Sequence, residues 1–166
     1  SGHCRGITVN ERAERISRGD PHVVRFAVPE GLDQVEVKDE IFGIISVPAS
    51  DIDDFVIRRT DGRVTYNFAV VVDDVEMRIS HVVRGVGHLS NTPNQALLFD
   101  ALGAGRPAFG NLPTVLGADG RKLSKRDGAA AGADLRSEGY PPDAVLNYLS
   151  LLGWSHPEEK EVLTRQ

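Results

Sequence analysis

Tyr66-Asn67-Phe68-Ala69-Val70-Val71-Val72, followed by Ile79-Ser80-His81-Val82-Val83 and by Pro93-Asn94-Gln95-Ala96-Leu97-Leu98-Phe99-Asp100-Ala101-Leu102, decides the fold. The first segment is an apolar run, the second alternates as a strand, and the third carries helix punctuation. Asn91 or Thr92 serves as N-cap, Pro93 occupies the first helical position and Gly103 lies just past the end. A further strand is expected over Leu112 to Leu116. Strands alternating with helices across short links belong to α/β doubly wound sheets, and two or three strands are too few to complete one. The pattern is that of half a Rossmann-type unit.

Upstream the texture differs. Thr8 with Glu11 three residues on makes a capping box, Ile16 continues a charged stretch, and Gly19 suits a stop, so the chain opens on a mostly solvated helix. From Val23 to Thr60 short β-prone runs follow: His22 to Val28, Val35 to Val37, Phe42 to Val47 and Phe55 to Arg59. Pro29, Gly31, Pro48 and Asp-rich turns separate them, which predicts a small, mainly antiparallel β module.

Downstream the chain turns helical. Asp134 to Glu138 ends at Gly139, and Pro141-Pro142 opens a second helix whose Val145, Leu146, Leu149 and Leu152 share one face before Gly153. The small-residue patch Gly128 to Ala133 reads as a connector.

Composition limits the function. With 166 residues and 40% hydrophobic content the chain can bury a core. A net charge of −5 argues against a generic electrostatic nucleic-acid binder, so any RNA contact must be local. Cys4, the single cysteine, excludes an internal disulfide framework and a multi-cysteine zinc site; cytoplasm is the expected compartment. No apolar run has the length of a membrane span and the first residues lack a secretory core, so no membrane association is expected. Ser at position 1, with Met77 the only methionine, is expected of a sequence trimmed, processed, or cut from something longer.

Gly120-Arg121-Lys122-Leu123-Ser124-Lys125-Arg126-Asp127-Gly128 sets four cations between two glycines. Such a loop can close over a triphosphate and neutralise the charge that builds as pyrophosphate leaves. Taken alone, a short basic run is more often a solvated turn. Its context changes that balance: Lys122-Leu123-Ser124-Lys125-Arg126 resembles the lysine-serine-lysine loop of class I aminoacyl-tRNA synthetases, in the form usual for glutamyl-tRNA synthetases. Thr65 to Asp74, Ile79 to Gly85, His88-Leu89-Ser90-Asn91-Thr92-Pro93, Leu146-Asn147-Tyr148-Leu149 and Leu152-Gly153-Trp154 resemble that family in the same order and spacing.

The resemblance implies an α/β chain: the second half of a class I synthetase Rossmann-type catalytic fold, with a β-rich insertion and a C-terminal helical stem-contact segment. Residues 1–53 would be the acceptor-binding insertion with its N-terminal helix, 54–118 the Rossmann half, 119–133 the basic loop and connector, and 134–166 the start of the stem-contact domain. By family register Tyr66 and Arg84 would hold glutamate, the arginine as a bidentate partner for a carboxylate. His88, Lys122, Leu123, Ser124, Lys125 and Arg126 would serve ATP: Lys122 and Lys125 at the phosphates, Leu123 near the adenine through its backbone, Ser124 shaping the loop. None acts as nucleophile or general base. ATP and Mg²⁺ are the implied cofactors, and the acceptor end of tRNA the implied partner.

Three departures qualify this. The family's histidine-rich phosphate loop and its glutamate-binding arginine, both from the preceding half, are not in this sequence, so the chain alone is expected not to form the adenylate. Val86 and Gly87 stand where the family usually has two acidic residues. Cys4-Arg5-Gly6 keeps one cysteine of the metal site found in some members and lacks the other ligands, so no zinc is expected. His81 lacks further ligands at metal spacing, and Asp73 and Asp74 read as helix-end caps. Two alternatives follow: a truncated, non-catalytic paralogue that binds the tRNA acceptor or a protein, and one half of a split enzyme completed by a separate N-terminal half.

Overall fold

The computed structural model describes residues 2–117, 119–122, 132–152 and 154–164. They form two compact units, 1–84 with 88–111, and 85–87 with 112–166.

The first unit opens on helix α1 (Val9–Ser17), capped by Thr8, whose hydroxyl oxygen accepts from the Glu11 N–H at 3.2 Å. Strand β1 (Val24–Phe26) pairs antiparallel with β4 (Phe55–Arg58), and Phe26 stacks on Phe55 with ring centroids 5.1 Å apart. Between them, β2 (Gln34–Asp39) forms an antiparallel hairpin with β3 (Gly43–Pro48). Alternation along β2 buries Val35, Val37 and Asp39 and exposes the residues between them, the period-two pattern of a strand covered on one face.

Helix α2 (Tyr66–Glu76), strand β5 (His81–Gly85), helix α3 (Thr92–Ala101) and strand β6 (Ala108–Leu112) follow. The apolar run from Tyr66, whose type the residues alone left open, is α2; burial of Val71 against the core outweighs the weak helix propensity of three successive valines. The four-stranded sheet has the order β3-β2-β6-β5, with β2 parallel to β6 where Asp39 faces Phe109. Parallel and antiparallel pairings thus share one mixed α/β sheet. Val35, Val37, Val71, Leu97, Leu98, Phe99 and Phe109 form the core around α3, which is buried nearly all round.

The strand expected over Leu112 to Leu116 lies earlier, at Ala108–Leu112. Pro113 has no N–H to extend a ladder. Gly110 lies inside this strand, where a Cβ would stand 3.7 Å from Ile41 and 3.9 Å from Val83, at ordinary contact distance.

Asp39, 1% exposed, ties these parts together. Its Oδ1 accepts from the Ile41 and Phe42 N–H groups, both at 2.9 Å, closing the β2–β3 turn. Its Oδ2 accepts from Asn111 on β6, through the backbone N–H at 3.0 Å and Nδ2 at 2.6 Å. Burial pushes the Asp39 carboxyl upward, but donation from Phe42, Asn111 and Ile41 outweighs it and leaves the group below its usual range.

A second tie joins the N-terminal turn to β4. Arg5 grips Asp54 through Nε at 2.8 Å and Nη2 at 2.6 Å, and the Val28 N–H donates to the same carboxylate at 2.9 Å. The Arg5 and Val28 donors hold Asp54 down from 3.8 to about 2. A depressed carboxylate contributes stability above its unfolded pKa and loses it as pH falls through the folded one. The melting temperature of the chain is therefore expected to fall between pH 4 and pH 2, and Asp54→Asn to shrink that acid-side fall while lowering the neutral-pH value, as a pH series of thermal melts would record.

In the second unit, α4 (Gly132–Ser137) ends before Gly139, whose φ of +85° turns the chain, and α5 (Pro142–Leu151) follows Pro141. Asn147 clamps the tail to α5, donating to Glu161 O at 2.8 Å and accepting from Leu163 N at 2.6 Å. Of Val145, Leu146, Leu149 and Leu152, expected to share one face, Val145 is half-buried and the three leucines are exposed. Among the described residues no helix is long and apolar enough to cross a membrane.

Candidate functional site

Tyr66 stands at the first turn of α2, and its position is fixed from behind. The Thr65 N–H donates to Ile57 O at 2.9 Å and the Thr65 hydroxyl to Val56 O at 2.8 Å, fastening the helix start to β4. The phenol itself is exposed. Its ring centroid lies 5.8 Å from that of His88, tilted by 44°. His88 sits in the 3-10 turn Val86–Asn91, with its Nδ1 and Asn91 Nδ2 3.4 Å apart.

Arg84 lies near the end of β5 and is half-buried. Its Nη2 donates to Thr92 Oγ1 at 3.0 Å, and its guanidinium carbon lies 5.8 Å from the centre of the Phe109 ring. Its Nε is buried with no hydrogen-bond partner among the described residues. Thr92, 0% exposed at the start of α3, also reaches His88 O at 3.5 Å, so the series Arg84–Thr92–His88–Tyr66 is continuous. One turn further along α3, buried Gln95 donates to Asn67 Oδ1 at 3.0 Å, next to Tyr66.

Asp74 belongs to the electrostatics of this cluster. Burial pushes its carboxyl above the usual range, the positive field of Arg84 works against that, and Asp73 adds to it. The Asp73 backbone carbonyl accepts from Met77 N at 2.8 Å at the end of α2.

The structure thus brings Tyr66, Arg84 and His88 together on the first unit. Lys122 belongs to the second, where it is exposed and bridges Leu116. Leu123, Ser124, Lys125 and Arg126 lie outside the described residues. Cys4 is an exposed free thiol, and among the described residues no group of three or more His, Cys, Asp or Glu converges.

Sequence reasoning missed Thr92, Gln95 and Asn67 as supports. Thr92 and Gln95 stand at i, i+3 and so on one face of α3, but Asn94 and Asp100 are polar residues of the same helix and nothing in the sequence sets the two apart. A planar guanidinium held on one edge, with a buried N–H free on another, suits a carboxylate, which takes two parallel N–H donors. No hydroxyl or thiol in the cluster is paired with a base as a covalent nucleophile would be.

The family described as "tRNA synthetases class I (E and Q), catalytic domain" matches residues 1–166. The glutamate–tRNA ligase of Aquifex aeolicus (strain VF5) is 49% identical over 167 residues, covering 100% of this chain and 35% of the relative. That of Desulfitobacterium hafniense (strain Y51) is 46% identical over 163 residues, covering 98% of this chain and 33% of the relative. The crystal structure of a glutamate tRNA ligase from Elizabethkingia meningosepticum CCUG26117, in complex with its amino acid, superposes with a TM-score of 0.82 at 35% identity. The match covers 96% of this chain and 35% of that one, so the chain spans about a third of the length of these relatives.

Proposed function

The chain belongs to the catalytic-domain family of class I tRNA synthetases for glutamate and glutamine, and on that premise we propose that it supplies one wall of a site in which ATP activates glutamate for transfer to tRNA. The observation that carries this reading is Arg84, held by Thr92 and lying over the Phe109 ring, with a buried Nε that has no hydrogen-bond partner among the described residues. Arg84 and Tyr66 face the glutamate, and His88, beside Tyr66, lines the nucleotide. By family register Lys122, Leu123, Ser124, Lys125 and Arg126 would serve ATP, and of these Lys122 lies among the described residues. The acceptor end of tRNA meets the β-rich N-terminal part, and the protein works in the cytoplasm.

Adenylate formation is attack by a carboxylate on a phosphoryl centre, which calls for positioning and charge stabilisation rather than a protein nucleophile. ATP supplies the phosphoryl centre and the leaving pyrophosphate. Exposed Lys122 is of the right type for a phosphate oxygen, and an Mg²⁺ ion that is bound chiefly by ATP phosphates requires no cage of protein carboxylates. In a doubly wound sheet the ligand lies at the switch between the two halves, so this chain on its own does not complete the site.

Val86 and Gly87 favour a second reading, a paralogue that keeps the acceptor-binding surface and has lost activation. Exchange of pyrophosphate into ATP by the purified 166-residue chain, with glutamate and with or without tRNA, tests the one-wall reading. Background exchange is expected; exchange above background would overturn it.

A further inference from the structure

We infer that Thr92 is a positioning residue that sets the direction in which Arg84 presents its guanidinium. This deepens the proposed function and rests on it as far as glutamate is concerned. A guanidinium is planar with five donors, so fixing one N–H and one face fixes the plane. Thr92 fixes the N–H, accepting from Nη2 at 3.0 Å, and the guanidinium carbon lies over the Phe109 ring, 5.8 Å from its centre. Thr92 is itself immobile: it is 0% exposed, β-branched, and stands in the first turn of the buried helix α3.

Its hydroxyl carries two lone pairs and one proton. It accepts from Arg84, and at 3.5 Å its proton lies toward the carbonyl of His88. The residue therefore coordinates two groups of the cluster from one atom. Without the hydroxyl, Arg84 would keep its charge and its place on β5 but lose the contact that selects one rotamer of a long side chain. Val and Thr are alike in shape, so Thr92→Val removes this contact with little change in volume, and Thr92→Ser restores it.

The test is nitrogen-15 NMR of the Arg84 side chain in the full 166-residue chain, its Nε–H identified by loss of the signal in Arg84→Lys. The wild-type chain and Thr92→Ser are expected to show a slowly exchanging Nε–H and resolved Nη groups. In Thr92→Val the Nε–H exchanges at least tenfold faster and the Nη signals merge, while the backbone amides of α3 stay in place. Should Thr92→Val fail to fold, Thr92→Ala is read in its stead against Thr92→Ser.

Titration with L-glutamate runs in parallel and is expected to show at least fivefold weaker binding in Thr92→Val. An unchanged Arg84 signature in Thr92→Val overturns the inference, even where Arg84→Lys abolishes glutamate binding. A changed signature in Thr92→Val, reversed in Thr92→Ser, upholds the positioning role whatever the glutamate titration shows.

Discussion

Asp39→Ala is expected to destabilise the first unit by about 3–5 kcal/mol, because it leaves several neutral donors without their shared acceptor. The carboxylate accepts from the Ile41 and Phe42 N–H groups in the β2–β3 turn and from the backbone and side chain of Asn111 on β6. Alanine would leave these donors without their acceptor in a region where Asp39 is 1% and Asn111 0% exposed. An unmade buried hydrogen bond costs about 1–3 kcal/mol, and several are lost together here. Asp39→Asn keeps the shape and one acceptor oxygen, so a smaller loss of about 1–3 kcal/mol is expected. Urea unfolding at pH 7 separates the two variants. Because the folded carboxyl titrates below its usual range, the wild-type advantage is present above the unfolded pKa and disappears as pH falls through the folded one.

Arg84→Ala is expected to weaken L-glutamate binding about a hundredfold, since charge-assisted hydrogen bonds contribute about 1.5–3 kcal/mol each and tenfold in affinity is about 1.4 kcal/mol. Thr92 anchors Nη2, and the remaining N–H groups of the guanidinium are the donors proposed for the carboxylate. Arg84→Lys should recover only part of the loss, because a lysine restores the charge without the fork. Following the Tyr66 ring signals during a glutamate titration gives both affinities.

Much of the fold was legible where local chemistry is strong. Thr8 and Glu11 announced α1, Pro93 and Gly103 bracketed α3, and alternation marked β2. Less was legible where a tertiary neighbour decides. The strand expected over Leu112 to Leu116 lies at Ala108–Leu112, where the partner β2 comes from far along the chain. Val70-Val71-Val72 could not declare a helix, since the burial that favours it comes from the rest of the core. Asp39 drew no reading of its own, because its role depends on Asn111, far along the chain.

For the candidate site, family register selected Tyr66, Arg84 and His88, and the structure shows them in one continuous series. The residues that hold them were silent in sequence. Thr92 looked like a capping residue and Gln95 like an ordinary helix polar group, because nothing local reveals that both are buried. The exposed leucines of α5 show the opposite case, an apolar stripe whose spacing announced burial that the unit does not supply among its described residues.

The most direct test of the central claim is a crystal structure of the 166-residue chain with a non-hydrolysable glutamyl-adenylate analogue. The account predicts the glutamyl side-chain carboxylate within hydrogen-bond distance of the Arg84 guanidinium and the Tyr66 hydroxyl, with Arg84 still bonded to Thr92. An analogue seated elsewhere, with Arg84 and Tyr66 untouched, would contradict it.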